Sequence, residues 1–562
     1  YTKDLINITA RSINPDGSIS NFDTTNIKVI ENYENSGPMK TLALEGVQVG
    51  AEIEYIYTTQ SFSRDLYGHV YCQNKYPKKE YSFELIFPDR LEFKTKSYNG
   101  APKMVTDTLK HGKMKLKISA GAFSAFEKEE KSADNANKQR IEYMLFSNSA
   151  TDKYNIFSWK KAAKTFTKSI YSLSENSKLA KKEKKALKKI GKELALTDDH
   201  TDKKKIYTIE SYIKEQITIG GSYNTLIHEI FESKEASKSG AKRLYIQLLE
   251  KYDLPHQLVF TSNRFNKTFD EEFESYNFLQ KSFIYFPTLK QFSDPTNIGS
   301  RIGQLPAEYS YTKGLFLKPK EIAGIKAFFP EIKYIHGFSY DQCYDNMVVE
   351  ISLDENLETC KVKLQKESTG YSASYIRPYL SYLTDEKKDE IIKELIKIND
   401  ESKIIDFETS NENMKGSMLD YPFKIQGSMT VGGLVEKAGP RYLFKIGQII
   451  GQQMEMYQEK KRKFPVEATY NHSYKRSIIF NIPEGYEIAN LNDLNMDVFA
   501  SKDSVRTMEF TSKYKVSNNQ LIVDVNEFYN QISIPLESFE SFRAVINAAA
   551  DFNKITLILK KI

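Results

Sequence analysis

Cysteine is scarce in this 562-residue chain, which has only three, Cys72, Cys343 and Cys360. Their spacing is not that of a zinc site, and it leaves either one Cys343–Cys360 bridge or three reduced, buried thiols. Tryptophan occurs once, at Trp159, and histidine seven times, so general bases and metal ligands are few. Glycine forms no phosphate-binding loop, Rossmann pattern or EF-hand turn, and no cofactor is expected. No apolar run reaches the ~18 residues of a membrane-spanning helix. Charge of one sign is lacking too: 80 basic against 74 acidic residues leave +6. Nucleic acid demands a concentrated basic face, so it is not an expected partner. A signal peptide is also missing, but Tyr1 opens directly into a strand-like run, YTKDLINITARSI. The chain is therefore expected to begin inside a longer precursor.

What is plentiful is tyrosine and phenylalanine, 36 and 34, which suit pleated, half-buried surfaces and predict much sheet. The length predicts several domains. LINITARSI alternates, Asn14 to Gly17 (NPDG) is a turn signal, and SISNF resumes the strand. In AEIEYIYTT, Ile53, Tyr55 and Tyr57 face one way, and Glu52 and Glu54 the other. Further short strands predict an antiparallel β-sandwich-like domain over residues 1–155. From 161 to 217 the period lengthens to that of helices, with Leu179, Ala180, Leu187, Ile190 and Leu194 beneath a lysine face. The Lys181–Lys189 run lacks interleaved aromatics or arginines and is read as a solvated helix face.

The stretch RLYIQLLEKYDLPHQLVF predicts an amphipathic helix leading into a strand. Residues 265–275 predict a loop, and FESYNFLQKSFIYFP and FSDPTNIGSRIGQLP predict two further strands. An α+β domain is thus expected over 156–320. Residues 321–460 give mixed signals and are read as a linker or an extension of the neighbouring domains. They include a hairpin in EISLDENLETCKVKLQKESTG and a helix in LTDEKKDEIIKELIKI capped by Thr384 or Asp385. A C-terminal β-rich domain is expected over 461–562.

Taken together, INPDGSI, LALEGVQVGAEIEYIY, RLYIQLLEKYDLP, DPT at Asp294 to Thr296 and GQLP at Gly303 to Pro306 make the chain resemble a family. This is the Bacteroidota envelope proteins labelled DUF3857/transglutaminase-like, with a central papain-like domain between two β-domains. The resemblance implies an exported protein, periplasmic or outer-membrane-associated, with a protein, peptide or glycan partner. It also implies a Cys-His-Asp triad, in which imidazole and a helix N-terminus stabilise a thiolate and a carboxylate orients the ring.

Matched residue by residue, the nucleophile position falls at Lys238, beside Ser237 and Ser239, and the base position at Phe278. Only Asp294 is retained. No catalytic residues are therefore expected, and the leading expectation is a noncatalytic scaffold or binding module. The alternative is a peptide hydrolase or acyl transferase working through unconventional residues. Ser237 or Ser239 reads as a helix cap, and Lys238 points away from its neighbours too strongly to activate either. Asp294 reads as closing the DPT turn. His256 reads as a strand histidine. His228 with Glu229 is half of a zinc motif whose second histidine is replaced by Glu232. Tyr245, Tyr276, Phe278, Phe283, Tyr285 and Phe286 read either as packed core or, with Asp294, as a retained ligand cleft.

Overall fold

The computed structural model describes residues 4–30, 39–60, 66–412, 419–457 and 460–562; Tyr1 to Lys3 of the expected first strand lie outside them. Two compact units emerge: Tyr1–Gly68 with Tyr143–Leu145, and His69–Glu142 with Phe146–Ile562. The division at Gly68 comes well before the boundary expected at 155.

In the first unit, β1 (Asp4–Ile13) lies between β2 (Ile19–Asn21) and β3 (Glu52–Gln60), all antiparallel. The NPDG turn sets the register. Gly17, at φ +83°, donates its N–H to Asn14 O at 2.8 Å, and Asn14 N–H closes on Ser18 O at 2.9 Å. Ile13 thereby pairs with Ile19. On β3, Ile53, Tyr55 and Tyr57 are exposed.

The second unit opens with another antiparallel sheet, β4 (Tyr81–Pro88), β5 (Val105–Leu109) and β6 (Lys113–Ala120), in the order β4-β6-β5. The longer helices that follow are α1 (Trp159–Tyr171), α2 (Ser177–Leu194), α3 (Asp202–Gln216) and α4 (Lys238–Lys251). On α2, Ala186, Leu187, Ile190 and Leu194 are buried while the lysines from 181 to 189 are exposed. The Asn176 side chain caps its first turn.

The helices adjoin a five-stranded antiparallel sheet of β7 (Gln257–Thr261), β8 (Lys281–Phe286), β9 (Gln291–Ser293), β10 (Thr312–Ile322) and β11 (Ile325–Ile335), in the order β9-β8-β7-β10-β11. Phe166 of α1 packs on Phe260 of β7 with ring centroids 4.5 Å apart. The boundary expected at 320 falls inside β10, because the β10–β11 hairpin completes this sheet.

Residues 321–460 are no linker, since they supply half of an eight-stranded sheet. Its strands are β12 (Asp345–Leu353), β13 (Cys360–Ser368), β14 (Ser402–Ser410), β15 (Phe423–Val431), β16 (His472–Asn481), β17 (Met496–Lys502), β18 (Val505–Ser517) and β19 (Gln520–Tyr529). The order is β14-β15-β13-β12-β16-β19-β18-β17, with only β12 and β16 parallel. Helix α5 (Asp385–Ile396) is capped by Thr384, and α6 (Phe539–Asn553) buries Phe542, Val545 and Phe552 against this sheet's core. The chain thus comprises an N-terminal all-β region, a central α+β region and a C-terminal β-rich region. All three cysteines are free and buried, so Cys343 and Cys360 form no bridge.

Candidate functional site

The start of α4 is built around a close approach. Ser237 caps it: its Oγ accepts the Gly240 N–H at 3.0 Å and donates to Asn224 O at 3.0 Å. A Cβ on Gly240 would overlap that same carbonyl oxygen. Lys238 and Ser239 are exposed, and the Ser239 hydroxyl lies 3.0 Å from that of Ser237. Deeper in the helix, Arg243 grips the buried Glu183 of α2, with Nη2 to Oε2 at 3.1 Å. Glu183 also accepts from the N–H groups of Ser174 and Ile227. A buried charge placed this way is paired and fully bonded.

Asp294 is fully buried. Its Oδ1 accepts from Thr296 N at 3.0 Å and from Thr296 Oγ1 at 2.7 Å, closing the DPT turn. Its Oδ2 lies 2.8 Å from Nζ of Lys281. Burial alone would raise this carboxyl, but the Lys281 ammonium and the two Thr296 bonds outweigh burial and hold it below the usual carboxylate range.

The residue facing Asp294 is therefore Lys281, not Phe278. Ser275 caps a short 3-10 turn, Tyr276–Phe278, which consumes residues that read as strand, and β8 starts only at Lys281. Phe278 is fully buried, 5.9 Å from the Phe269 ring.

One turn into α4, Lys242 donates to Ser282 Oγ at 2.5 Å. Burial pulls this lysine down to about 8; nearby Asp294 opposes the shift, and the charges of Lys281 and Lys238 add to it. Behind Asp294, Glu210 and Lys214 of α3 are both fully buried and 3.0 Å apart. Glu210 accepts from Ser293 Oγ and Ile302 N, and Lys214 donates to Ser300 O. This network clamps the turn on either side of Asp294.

The expected cleft is not assembled from the residues proposed for it. Tyr245, Phe278, Phe283 and Asp294 are fully buried, as is neighbouring Phe286. Tyr276 packs against Phe157 and Phe166. Tyr285 lines a cavity of about 500 Å3, whose walls include Phe292, Phe316, Tyr334 and Phe338, with Lys333 and His336 beside them. Strand alternation separates Phe286 from Tyr285, since Lys281, Phe283 and Tyr285 project from one face of β8 and Ser282, Ile284 and Phe286 from the other; Phe283, on the Tyr285 face, is covered by Tyr309, with ring centroids 5.4 Å apart.

His256 stacks on Tyr171 and bonds Leu254 O through Nδ1. Among the described residues, no group of three or more His, Cys, Asp or Glu side chains is placed to hold a metal ion. No helix among them is long and apolar enough to cross a membrane.

Comparison with known proteins places the two ends of the chain. A family model described as a domain of unknown function with solved structure (DUF3857) matches residues 1–118. A second of the same description (DUF3858) matches residues 442–559. A crystal structure from Parabacteroides distasonis ATCC 8503, named a "putative protease", is similar over 99% of this chain and 89% of its own, with TM-score 0.56 and 12% identity. At that identity the likeness is one of fold. No curated protein matches the chain.

Sequence reasoning missed Lys281, Lys242 and the Arg243–Glu183 and Glu210–Lys214 pairs. Glu210 and Lys214 carry the one legible signal, an i,i+4 acid–base pair in phase with the buried Ile206 and Ile213 of their helix.

Proposed function

We propose that the chain is a noncatalytic protein of the cell envelope, in which a transglutaminase-like layer serves as a scaffold and the aromatic cavity beside Tyr285 binds a peptide or glycan segment. The observation that carries this reading is the Lys281–Asp294 ion pair. The carboxylate that would orient a histidine is spent on an ammonium that is not a general base while so paired. The helix start offers a capping serine and an exposed lysine in place of a thiol, so the triad of the family resembled is degenerate at two positions. The fold it shares with the Parabacteroides structure supports descent from a hydrolytic scaffold. The envelope assignment rests on the family resemblance.

A cavity of about 500 Å3 walled by aromatic rings and edged by Lys333, His336 and Gln342 suits the stacking and hydrogen bonding by which sugars and extended peptides are held. The test is a panel of soluble oligosaccharides and short peptides titrated into the intact protein, with turnover followed in parallel. Saturable binding weakened about tenfold by Tyr334→Ala, whose ring is 48% exposed, together with no turnover, is expected. Turnover that Asp294→Ala abolishes would overturn the reading.

One observation favours a second reading. The Lys242–Ser282 contact, with its lysine lowered to about 8, is the pairing a serine–lysine hydrolase uses once that lysine has lost its proton. In that case a fluorophosphonate would label Ser282, and Lys242→Met would prevent it.

A further inference from the structure

On one face of the central strand pair β16–β19 the core pattern breaks. Ile478, Phe480, Leu521 and Val523 are buried there as expected. Continuing in the same phase, the next core-facing positions are Arg476, Tyr474 and His472 on β16, and Val525, Glu527 and Tyr529 on β19. Titratable side chains on the core face of an interior strand pair break the usual pattern, and such breaks mark functional sites.

These side chains border a cavity of about 310 Å3, lined also by Ile450, Ile546 and Lys131, room for roughly ten waters. Most of its lining falls within the residues that match DUF3858.

The hydrogen-bond valences here are not all used. His472 Nδ1 lies 3.0 Å from Tyr470 O and donates to it, which fixes the tautomer and leaves Nε2 as the acceptor of a ring that lines the cavity. Tyr529 donates to Glu527 Oε1 at 2.7 Å. Burial lifts the Glu527 carboxyl above its ordinary range, against the opposing Tyr529 bond and the Arg476 charge. Arg476 is already spent on Asp345, with Nη2 to Oδ1 at 3.2 Å. Lys131 lines the same cavity, and its charge acts on His472. Among the described residues no carboxylate pairs with it. The groups facing His472 are thus Lys131, Tyr470, Tyr474, Tyr529 and Glu527, and α6 contributes only Ile546 and Ala549.

The cavity wall thus carries the Lys131 ammonium and the His472 imidazole, with the Tyr474 hydroxyl and the Gln452 amide, alongside the aliphatic Ile450, Val525 and Ile546. We propose that this cavity binds a small aliphatic carboxylate, its acidic end between Lys131 and His472 and its hydrocarbon end against Ile450, Val525 and Ile546. A dianion is disfavoured because Glu527 lines the same space. To donate to a carboxylate, Nε2 must first take up a proton, so binding consumes one proton from solvent.

The probe is isovalerate, titrated calorimetrically into the intact protein at pH 6, 7 and 8 and in buffers of different ionisation enthalpy. Isovaleramide and inorganic phosphate serve as comparators. Expected are uptake of about one proton, affinity rising about tenfold per unit fall in pH, and no binding of the amide or of phosphate. Lys131→Gln, at a half-buried position, should weaken isovalerate at least tenfold. His472→Gln should remove the proton uptake. Absence of isovalerate binding, binding without proton uptake, or equal binding of phosphate would overturn the proposal.

Discussion

Two polar clusters in this protein look alike in composition and differ in what they leave open. Around Asp294 the buried charges have protein partners: Lys281 on the carboxylate, Ser282 on Lys242, Lys214 on Glu210 and Arg243 on Glu183. Around His472, the imidazole and the Lys131 ammonium line a cavity, and among the described residues no carboxylate pairs with that ammonium. The first arrangement holds backbone in place, as buried ionic groups do when they are paired. The second retains the unspent hydrogen-bonding capacity that ligand sites need. In this chain, resemblance of the central region to an enzyme scaffold and capacity for recognition lie in different places.

The comparison can be broken most severely at Gly240. Because a Cβ there would overlap the Asn224 carbonyl, Gly240→Ala should cost more than about 3 kcal/mol or prevent folding. Thermal unfolding would show this, and the same substitution at the exposed Gly121 should change little.

Next in size is Asp294→Asn, which strands the Lys281 ammonium. With that lysine side chain 31% exposed, the loss should be about 1–3 kcal/mol at pH 7. Because the folded carboxyl sits below its unfolded value, its contribution is fully present above the unfolded pKa and disappears as pH falls through the folded one. Denaturation curves of wild type and variant should therefore converge in acid.

The smallest effect has the opposite sign. Lys242 titrates at about 8 when folded, against 10.5 as its ordinary value, so its burial disfavours the native state below pH 8 and ceases to do so above the unfolded pKa. Lys242→Met should raise stability by about 1–2 kcal/mol at pH 7, and the gain should vanish by pH 11. Urea midpoints across that range measure it.

Much of the fold was legible where period and punctuation agree. The NPDG turn, the α2 lysine face, the β12–β13 hairpin and the Thr384 cap all follow from local pattern. What was illegible is non-local. Nothing in the sequence near 320 or 460 announces that β10–β11 completes the central sheet, or that β12 pairs in parallel with β16 more than a hundred residues later.

The position facing Asp294 was misplaced because the Ser275-capped turn uses up residues with strand-like composition before β8 begins. The His472 cluster was legible and overlooked: in HSYKRSIIFN the polar His472, Tyr474 and Arg476 share the phase of Ile478 and Phe480.

The central claim is that the Asp294 region is structural. Labelling of the native protein with a fluorophosphonate and with iodoacetamide, read by intact mass and peptide mapping, tests it most directly. The account predicts no stoichiometric adduct on Ser237, Ser239, Ser282 or the buried thiols under native conditions, and thiol adducts only after unfolding. A single rapid adduct on Ser282, lost in Lys242→Met, would contradict it.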